Sequence, residues 1–497
     1  MIDQPILTQL FLWVCDPLSQ KTGEKPPDLH TFWQSPELLP AWVADSPTAL
    51  RYLDLLGPLR WGQLPERNLE RHWRHTPVPF ATFIACELVR LNEGLRSTAD
   101  LHRYLREHPA LRWLLGWQPA GFAKSSASLN TLPPLPTQRH FSHLLRKLPN
   151  AALQYLLADS AQLIRHELAT QGGRGCGDCI ALDTKHILAW VKENNPKAYL
   201  VNRFNPTQPP VGDRDCRLGC KRQRNQLVWP PTPTRNPAPA NTLKVGEYHW
   251  GYASGCVVAP VPPWGEFVLA ELTLPFDQGD LAHFFPLMRQ VEERLGYRPH
   301  FGLFDAAFDA WYVYAYFHRE NDPAGGVAIV PFSEKGGYKA KGRQFSPEGL
   351  PLCAARWPMP LQFTYTDRTS CLIEHERGKY VCPLRFPQAL ARACPIRHPN
   401  WQKGGCTAMM PTSVGARLRY TLNRDGDEYK QLYRQRTAVE RINSQAVALG
   451  IERPHWRNGR AIANQNTLIY LLINLRFLQR LYHHRPAVEE DGKEPPV

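Results

Sequence analysis

Hydrophobic residues in the first third of the chain recur every three or four positions. One such series consists of Phe80, Phe83, Ile84, Leu88 and Leu91. This spacing places the apolar side chains on one face of a helix, where they can pack against other helices. The same periodicity returns between Thr137 and about residue 170. Residues 1–170 are therefore predicted to form an all-α domain.

A helix with a basic face is predicted directly after Thr137, which is a candidate N-cap. Its polar positions are Arg139, His143, Arg146 and Lys147. A second helix is expected to begin near Asn150, a further candidate cap. A basic helix joined to a second helix by a short turn is compatible with helix-turn-helix binding of DNA. Two packed helices whose charges only face solvent are an equally open interpretation.

The pattern changes at Gly172–Gly177, where a glycine cluster ends the helical region. The β-like runs that follow are 179–188, 251–259, 267–274, 301–304 and 327–332. Helical periodicity returns at about 427–440 and 461–484. Strands followed by helices indicate an α/β core with a mixed sheet flanked by helices. Residues 171–334 and 426–485 are predicted to form this core.

Three segments depart from the core pattern. A proline-rich excursion covers about 205–240. Its basic residues are Arg214, Arg217, Lys221, Arg222 and Arg224. Residues 335–425 are irregular but contain β-like pieces such as Leu361–Thr366 and Tyr380–Leu384. They are predicted to be a β-rich insertion with a fold of its own, because ordinary connections need only about 2–6 residues. The last residues, 486–497, are predicted to be a disordered tail.

The charge of the chain indicates its class of partner. The 497 residues carry a formal net charge of +14, which favours a polyanion, with nucleic acid as the leading candidate. The most apolar run, Leu468–Leu481, contains Asn474, Arg476 and Arg480, so it is not expected to cross a membrane. The N-terminus lacks the basic start of a signal peptide. A cytoplasmic, nucleoid-associated protein is expected.

The stretch Tyr433–Asn443 contains neither glycine nor proline, and it is predicted to be one continuous helix. Tyr433, Arg436 and Glu440 would then share one face, because helical residues three or four positions apart are neighbours. A carboxylate can hold a metal ion, while an arginine and a tyrosine beside it can bind phosphate oxygens. An ordinary surface ion pair explains the same residues if nothing else converges on them.

Two further carboxylates lie in strand-like surroundings. Asp183 lies inside the run Cys179–Leu188, and an apolar run that begins at Phe301 ends at Asp305. Acids near the ends of neighbouring strands can converge at one edge of a sheet. Together with Glu440 they would repel one another unless divalent cations lie between them. Two Mg²⁺ or Mn²⁺ ions held in this way would serve in-line attack at phosphorus.

These acids resemble the motifs of the DDE transposases of bacterial insertion sequences, in the branch marked by Tyr-x2-Arg-x3-Glu-x6-Lys. The residues that match this pattern are Tyr433, Arg436 and Glu440. The surroundings of Asp183 (Leu-Asp-Thr-Lys) and of Asp305 (Leu-Phe-Asp-Ala-Ala-Phe-Asp) resemble the first and second acidic motifs. The resemblance covers roughly residues 98–482. It implies a ribonuclease H-like core, two Mg²⁺ or Mn²⁺ ions, and cleavage and strand transfer at inverted-repeat ends. The leading hypothesis is a DNA transposase whose helical domain, residues 1–170, binds the ends of double-stranded DNA, and a homodimer is expected when ends are paired.

The chain departs from the motif at its lysine, which is replaced by Val447. Arg453 and Arg457 are the nearest basic residues that could supply the missing phosphate contact. Asp309 lies within the second motif, but a supporting or helix-surface position is the preferred interpretation. The acids that lack a comparable strand context and are not expected in the site are Asp178, Asp277 and Asp280.

Two cysteine pairs have spacings that a tetrahedral zinc site could use. These residues are Cys176, Cys179, Cys216 and Cys220. Zn²⁺ bound by both pairs would fasten the basic excursion to the core, and free thiols are the alternative. A second zinc site in the insertion is also considered, although buried structural thiols are favoured there. Its candidates are Cys371, Cys382, Cys394, His398 and Cys406.

Two other functions remain open from the sequence. A ribonuclease H-like nuclease would use the same acids without strand transfer. A catalytically silent DNA-binding protein descended from a transposase would keep the basic surface alone, although the intact acids Asp183, Asp305 and Glu440 argue against it. Inverted repeats flanking the coding frame would favour an active transposase.

Overall fold

The protein is described by a computed structural model that covers residues 28–68, 78–117, 135–222, 246–318, 325–333, 343–368, 372–390 and 392–484. Residues 1–27, 223–245 and 486–497 lie outside these ranges. The first part of the predicted helical domain, much of the predicted excursion and the predicted tail therefore stay predictions.

The described residues contain both helices and strands, as the patterns predict. The helices are α1 (Leu29–Gln34), α2 (Ala41–Ala44), α3 (Pro47–Leu56), α4 (Phe80–Asn92), α5 (Thr98–Glu107), α6 (Pro109–Leu114), α7 (Gln138–Lys147), α8 (Asn150–Thr170), α9 (Phe284–Leu295), α10 (Trp311–Phe317), α11 (Val414–Thr421), α12 (Asp427–Arg434), α13 (Thr437–Ala448) and α14 (Gly459–His483). The strands are β1 (Cys179–Leu188), β2 (Arg217–Arg222), β3 (Gly246–Val261), β4 (Gly265–Pro275), β5 (Phe301–Phe304), β6 (Val327–Ile329), β7 (Leu361–Asp367), β8 (His375–Val381) and β9 (Thr407–Pro411).

Six strands in the described part of the chain form one mixed sheet. Its main order is β2-β3-β1-β5-β6, and β4 also pairs with β3. Strands β1, β5 and β6 run parallel to one another, whereas β3 runs antiparallel to β1, β2 and β4. The prediction of an α/β core with a mixed sheet is confirmed.

Successive residues of β1 face opposite sides of this sheet. Ala181 and Ile187 belong to one hydrophobic core, and Ile180 and Leu182 belong to another. The first core contains the buried residues of α13 and of the N-terminal helices, while the second contains those of α9 and α10. Asp183 is two residues from Ala181, so it lies on the face that α13 covers.

Packing crosses the predicted domain boundary near residue 171. The buried residues of α3, α4 and α7 share one core with α13 and α14. Asn150, predicted as a cap, instead donates through its side-chain amide to Asn464 and Thr467 of α14 at 3.0 and 2.9 Å. The helical region is therefore joined to the rest of the protein rather than packed by itself. None of the described helices is both long and apolar enough to cross a membrane.

The insertion (residues 335–425) contains a second sheet, with the antiparallel order β7-β8-β9. The strand predicted at 361–366 is present as β7, and the one predicted at 380–384 begins earlier, as β8. After β9 the chain returns to the core, because α11 packs against α10.

Asp309 fastens α11 to the core. Its buried carboxylate accepts hydrogen bonds from Nε and Nη2 of Arg419 at 2.7 and 2.5 Å, from the hydroxyl of Tyr314 at 2.8 Å and from the N–H of Ser333 at 2.7 Å. Burial opposes the charge of Arg419, but the hydrogen bonds and charge of Asp309 raise the pKa of Arg419 overall. The four donors agree with the supporting position predicted for Asp309.

The prediction of one continuous helix over 433–443 is wrong. Helix α12 ends at Arg434, and α13 begins at Thr437. Oγ1 of Thr437 donates to the carbonyl of Arg434 at 2.9 Å, and the N–H groups of Gln435 and Arg436 bond to carbonyls three residues earlier. Because a side-chain hydroxyl competes for a helix carbonyl, the chain turns here without glycine or proline.

Candidate active site

Asp183 and Asp305 lie side by side on adjacent strands. Strands β1 and β5 are parallel, and their last paired residues are Leu182 and Phe304. Asp183 directly follows Leu182, and Asp305 directly follows Phe304. The two aspartates therefore lie at the same level of the sheet. The predicted positions are confirmed, since Asp183 lies inside β1 and Asp305 directly follows β5.

Both carboxylates are oriented by backbone N–H groups. The N–H of Thr184 donates to Oδ1 of Asp183 at 2.8 Å, and the N–H of Ala307 donates to Oδ1 of Asp305 at 2.8 Å. A carboxylate held by a backbone donor cannot turn freely, so both groups keep a fixed direction in the site.

The surroundings of Asp183 disfavour its negative charge. Burial raises the pKa of Asp183 to about 6, and the charge of Asp305 acts in the same direction. The hydrogen bond from Thr184 and the guanidinium of Arg436 lower this pKa. At neutral pH the Asp183 carboxyl is still mostly ionised, and the repulsion from Asp305 is of the kind that a divalent cation relieves.

Helix α13 brings a third carboxylate, an arginine and an amide to these aspartates. Nη2 of Arg436 donates to Oε1 of Glu440, and Nη1 lies 4.0 Å from Oδ2 of Asp183. Nδ2 of Asn443 donates to the same Oδ2 at 3.3 Å. The structure therefore brings Asp183, Asp305 and the helix of Glu440 together, with Arg436 between two of the acids.

Tyr433 completes the group of residues that the motif predicts. Its ring stacks on that of Tyr429 with centroids 5.7 Å apart and planes 11° apart. The guanidinium carbon of Arg436 lies 5.8 Å from the centre of the Tyr433 ring. Burial raises the pKa of Tyr433, Arg436 lowers it and Asp305 raises it. Tyr433 is therefore close to the acids even though α12 and α13 are separate helices.

Two residues of this group were not predicted from the sequence. Asn443 lies three positions after Glu440, so helical spacing could have identified it. Asp280 is not expected in the site from its sequence context, but its Oδ1 accepts from Oγ1 of Thr184 at 2.6 Å, and its charge also raises the pKa of Asp183. Asp280 belongs to a short 3-10 helix, so no strand pattern could have indicated its place.

Lys185, the lysine of the Leu-Asp-Thr-Lys sequence around Asp183, adds a basic residue near the acids. It lies two residues after Asp183 on β1, so strand alternation places it on the same face. Its Nζ lies 2.5 Å from Oε1 of Glu452. Lys185, together with Lys221 and Arg453, lowers the pKa of Glu452. Three cations therefore gather around one acid near the end of β1.

The loop that follows α13 carries the residues expected to replace the motif's lysine. The N–H of Leu188 donates to the carbonyl of Glu452 at 2.9 Å, which places this loop along the end of β1. The guanidinium carbon of Arg457 lies 4.5 Å from the ring centre of Trp190, and Trp190 is 51% exposed. Arg453 and Arg457 therefore lie near the strand that carries Asp183.

The basic helix α7 is capped as predicted. The N–H of His140 donates to Oγ1 of Thr137 at 3.3 Å. The exposed basic residues of this helix are Arg139, His143, Arg146 and Lys147. Helix α8 packs against α14 and β4. The basic surface of this helix pair is therefore on α7.

The two cysteine pairs predicted to share a zinc ion lie at different levels of the sheet. Cys179 opens β1, and Ala181, two residues later, pairs with Val258 of β3. Cys220 of β2 pairs with Tyr248 of β3. Positions 248 and 258 are ten residues apart on β3, which corresponds to about 33 Å of strand. Zinc–sulfur bonds are about 2.3 Å long, so one site built from Cys176, Cys179, Cys216 and Cys220 is not formed.

Asp183, Asp305 and Glu440 lie near one another, but their carboxylates are not positioned to bind one metal ion together. Across the described ranges, no group of three or more His, Cys, Asp or Glu side chains is already placed to hold a metal ion. In the acidic group the reason is visible, because the Glu440 carboxylate is bonded to Arg436. Metal binding at the three acids would require Glu440 to leave this partner.

Comparisons with known proteins do not identify a family. No protein-family model matches the sequence, and a search of curated proteins finds no match.

Proposed function

We propose that this protein is a DDE-type DNA transposase whose catalytic residues are Asp183, Asp305 and Glu440. The observation that carries this proposal is the placement of both aspartates one residue beyond a paired position of adjacent parallel strands. The sheet joins antiparallel strands β4, β3 and β1 to parallel strands β5 and β6, which supports a ribonuclease H-like core. The motif resemblance supplies the class of reaction.

The residues present suit divalent metal ions. Carboxylates are hard oxygen ligands of the kind that Mg²⁺ and Mn²⁺ prefer, and Asp183, Asp305 and Glu440 would hold them. Burial and the charge of Asp305 raise the pKa of Asp183, and a bound cation offsets both effects. When bound, two such ions supply a nucleophile at neutral pH and stabilise the leaving oxygen.

The side chains around the acids prepare them for this role. Asn443 holds Oδ2 of Asp183 in position, and outer partners of this kind typically change metal affinity or activity by about 10–100-fold. Arg436 pairs with Glu440 and Asp183. Its planar guanidinium can exchange Glu440 for a phosphate of DNA. This exchange would free the third carboxylate when substrate arrives.

A DNA strand can extend from the acids along the end of β1. Basic side chains at this end include Lys185, Arg453 and Arg457, and the ring of Trp190 is exposed beside them. Cations bind the backbone phosphates, and an exposed indole can stack on a base for about 1–3 kcal/mol. The net charge of +14 supports such a polyanionic partner.

The test is a cleavage assay with the full-length protein, Mg²⁺ and DNA fragments taken from both flanks of the coding frame. Cut ends and joined products are measured separately from DNA binding. The wild type is expected to cut at inverted repeats and join the ends, whereas Asp183→Asn and Glu440→Gln should bind without cutting. The matched control is Asp178→Asn, because Asp178 is a 45% exposed acid just before β1.

Each outcome of this assay has a definite meaning. Cutting without joining would favour the nuclease. Binding with neither activity in the wild type would favour the silent DNA-binding protein. Wild-type cutting by Asp183→Asn would remove Asp183 from the catalytic centre.

A further inference from the structure

The insertion repeats a short turn that begins with a cysteine. Turns start at Cys353, Cys382 and Cys394, and in each the cysteine carbonyl accepts from an arginine N–H three residues later, at 2.8, 3.0 and 3.1 Å. The arginines are Arg356, Arg385 and Arg397. The sequence Cys-x-x-Arg therefore occurs three times in one small region with one backbone hydrogen-bond pattern. Three cysteines of the insertion therefore begin turns that are closed by the same backbone hydrogen bond.

Two of these turns contain an unfavourable backbone conformation. Arg356 and Arg397 have φ angles of 62° and 48°. Side chains other than glycine rarely adopt this left-handed region, and doing so costs about 1–2 kcal/mol. The surroundings must therefore hold these turns in place, and strain of this kind concentrates at functional or ligand-binding positions.

A fourth cysteine, Cys406, lies near the other three and directly precedes β9. Cys406 directly follows Gly404 and Gly405, whose φ angles are 98° and 94°. A Cβ atom added to Gly405 would lie 3.2 Å from Sγ of Cys382 and 2.6 Å from its Cβ, so glycine is needed for this close approach. The Cys406 side chain interacts with Cys382 through a hydrogen bond and with Cys353 electrostatically.

All four cysteines line a single small cavity. Cys353, Cys382, Cys394 and Cys406 surround it, and its volume is about 10 Å³. A cavity of this volume is about large enough for one water molecule. A space of this size among four cysteine residues suits a single ion better than an organic ligand.

We propose that Cys353, Cys382, Cys394 and Cys406 bind one structural zinc ion. Four thiolates in a closed site are a typical zinc ligand set, and zinc is not redox-active, which suits a structural role. The side chains are not preset for a metal, so the thiols must rotate towards the cavity. Each thiol releases its proton to solvent when its sulfur becomes a ligand.

A zinc ion bound by four cysteines carries a net negative charge. One Zn²⁺ and four thiolates form a dianion, which needs cations or N–H donors nearby. Arg356, Arg385 and Arg397 lie on the turns that present three of the cysteines. Each of these three cysteines is therefore followed, three residues later, by a positively charged arginine.

His398 also lines the cavity, but its bonding argues against a ligand role. Its Nδ1 accepts from the N–H of Asn400 at 3.1 Å, so in the neutral ring the proton is on Nε2. Neither nitrogen then offers a free lone pair. Cys371, a candidate from sequence spacing, lies outside the described residues, and Cys353 takes its place in the set.

A metal would supply what the insertion lacks in hydrophobic core. Among the described residues of the insertion, the buried members of its hydrophobic cluster are Met359, Tyr380, Met410 and Ala416, and β7 is mostly exposed. Small folds with so little core usually need a disulfide or a metal. Zinc would join the residue after β8, the residue before β9 and two loops, and would therefore fix the small sheet.

The test is the metal content of the full-length protein purified without chelators. Wild type is expected to contain about one zinc per chain, and Cys353→Ser and Cys406→Ser should lose it. The matched controls are Cys371→Ser in the same insertion and His398→Ala at the same cavity, and both should keep their zinc. Replacing zinc by Co²⁺ should give the strong near-ultraviolet absorption of thiolate bound to cobalt.

Several results would overturn the proposal. Wild type without stoichiometric zinc, even after growth in zinc-supplemented medium, would exclude the site whether or not the serine variants fold. Loss of zinc in His398→Ala or Cys371→Ser would exclude this ligand set, and iron at the four cysteines would exclude zinc. The measurement uses no DNA, so its result is independent of the proposed transposase function.

Discussion

Arg436 connects two carboxylates that come from a strand and a helix. Its Nη2 donates to Oε1 of Glu440, and its Nη1 lies 4.0 Å from Oδ2 of Asp183. The Arg436 side chain is only 18% exposed, so water screens its charge weakly. One cation of the chain therefore neutralises part of the acidic group and lowers the pKa of Asp183.

Arg436→Ala is expected to reduce DNA cleavage more than DNA binding. Loss of one charged phosphate contact costs about 1–3 kcal/mol, or roughly 5- to 150-fold in rate. The change also removes a charge that lowers the pKa of Asp183. The acidic limb of the pH–rate profile should therefore move to higher pH, which rate measurements across pH 5–8 would show.

The control for this experiment is Arg434→Ala, because Arg434 is an exposed arginine at the end of α12. It should leave the pH profile in place, and Arg436→Lys should restore only part of the rate. A wild-type rate and profile in Arg436→Ala would show that Arg436 only stabilises the helix through its ion pair.

Asp183→Asn is expected to stabilise the protein in the absence of divalent metal. The pKa of Asp183 rises from 3.8 to about 6 in the folded protein. For an acid with a raised pKa, the free energy of unfolding falls as the pH rises from about 4 to about 6, because the folded state binds more protons in that window. At pH 7 the ionised Asp183 carboxylate therefore lowers the free energy of unfolding by on the order of 2–3 kcal/mol. The neutral amide of Asp183→Asn removes this loss.

Thermal unfolding at pH 4 and pH 7, with and without Mg²⁺, checks this prediction. Asp183→Asn should raise the Tm at pH 7 but change it little at pH 4. Mg²⁺ should raise the Tm of the wild type and not that of the variant, because only a bound ligand shifts the folding equilibrium. A lower Tm for Asp183→Asn at pH 7 would contradict the repulsion inferred between Asp183 and Asp305.

Asn443→Ala should weaken catalysis without weakening DNA binding. The amide of Asn443 donates to Oδ2 of Asp183 at 3.3 Å, and loss of such a partner typically costs about 10–100-fold in metal affinity or activity. Titration of activity with Mg²⁺ should show a higher metal requirement. Gln445→Ala is the control on the same helix, since Gln445 is exposed. Equal Mg²⁺ requirements for both variants would remove Asn443 from the site.

Arg419→Met should destabilise the junction between the insertion and the core. It leaves the Asp309 carboxylate fully buried without its main partner, which costs about 3–5 kcal/mol. Lys430→Met is the contrast, because Lys430 and Asp427 form an exposed pair at 3.9 Å, and such pairs contribute about 0–1 kcal/mol. Limited proteolysis and thermal unfolding measure both. Similar stability of the two variants would mean that the buried pair does not hold α11.

The sequence by itself determined the local elements and the position of each acid within them. Apolar periodicity placed α4, α7 and α14, and β-like runs placed β1, β3 and β4, because both depend on the spacing of neighbouring residues. Asp183 within a strand, Asp305 after a strand and Glu440 on a helix followed from the same local patterns.

Only the tertiary structure decided which residues meet. Strand register joined Asp183 to Asp305 and separated Cys179 from Cys220, and packing turned Asn150 from a predicted cap into a partner of α14. The cavity in the insertion likewise selected Cys353, which no spacing rule indicated. Register and packing arise from contacts between residues far apart along the chain, and hydrophobic periodicity contains no information about those contacts.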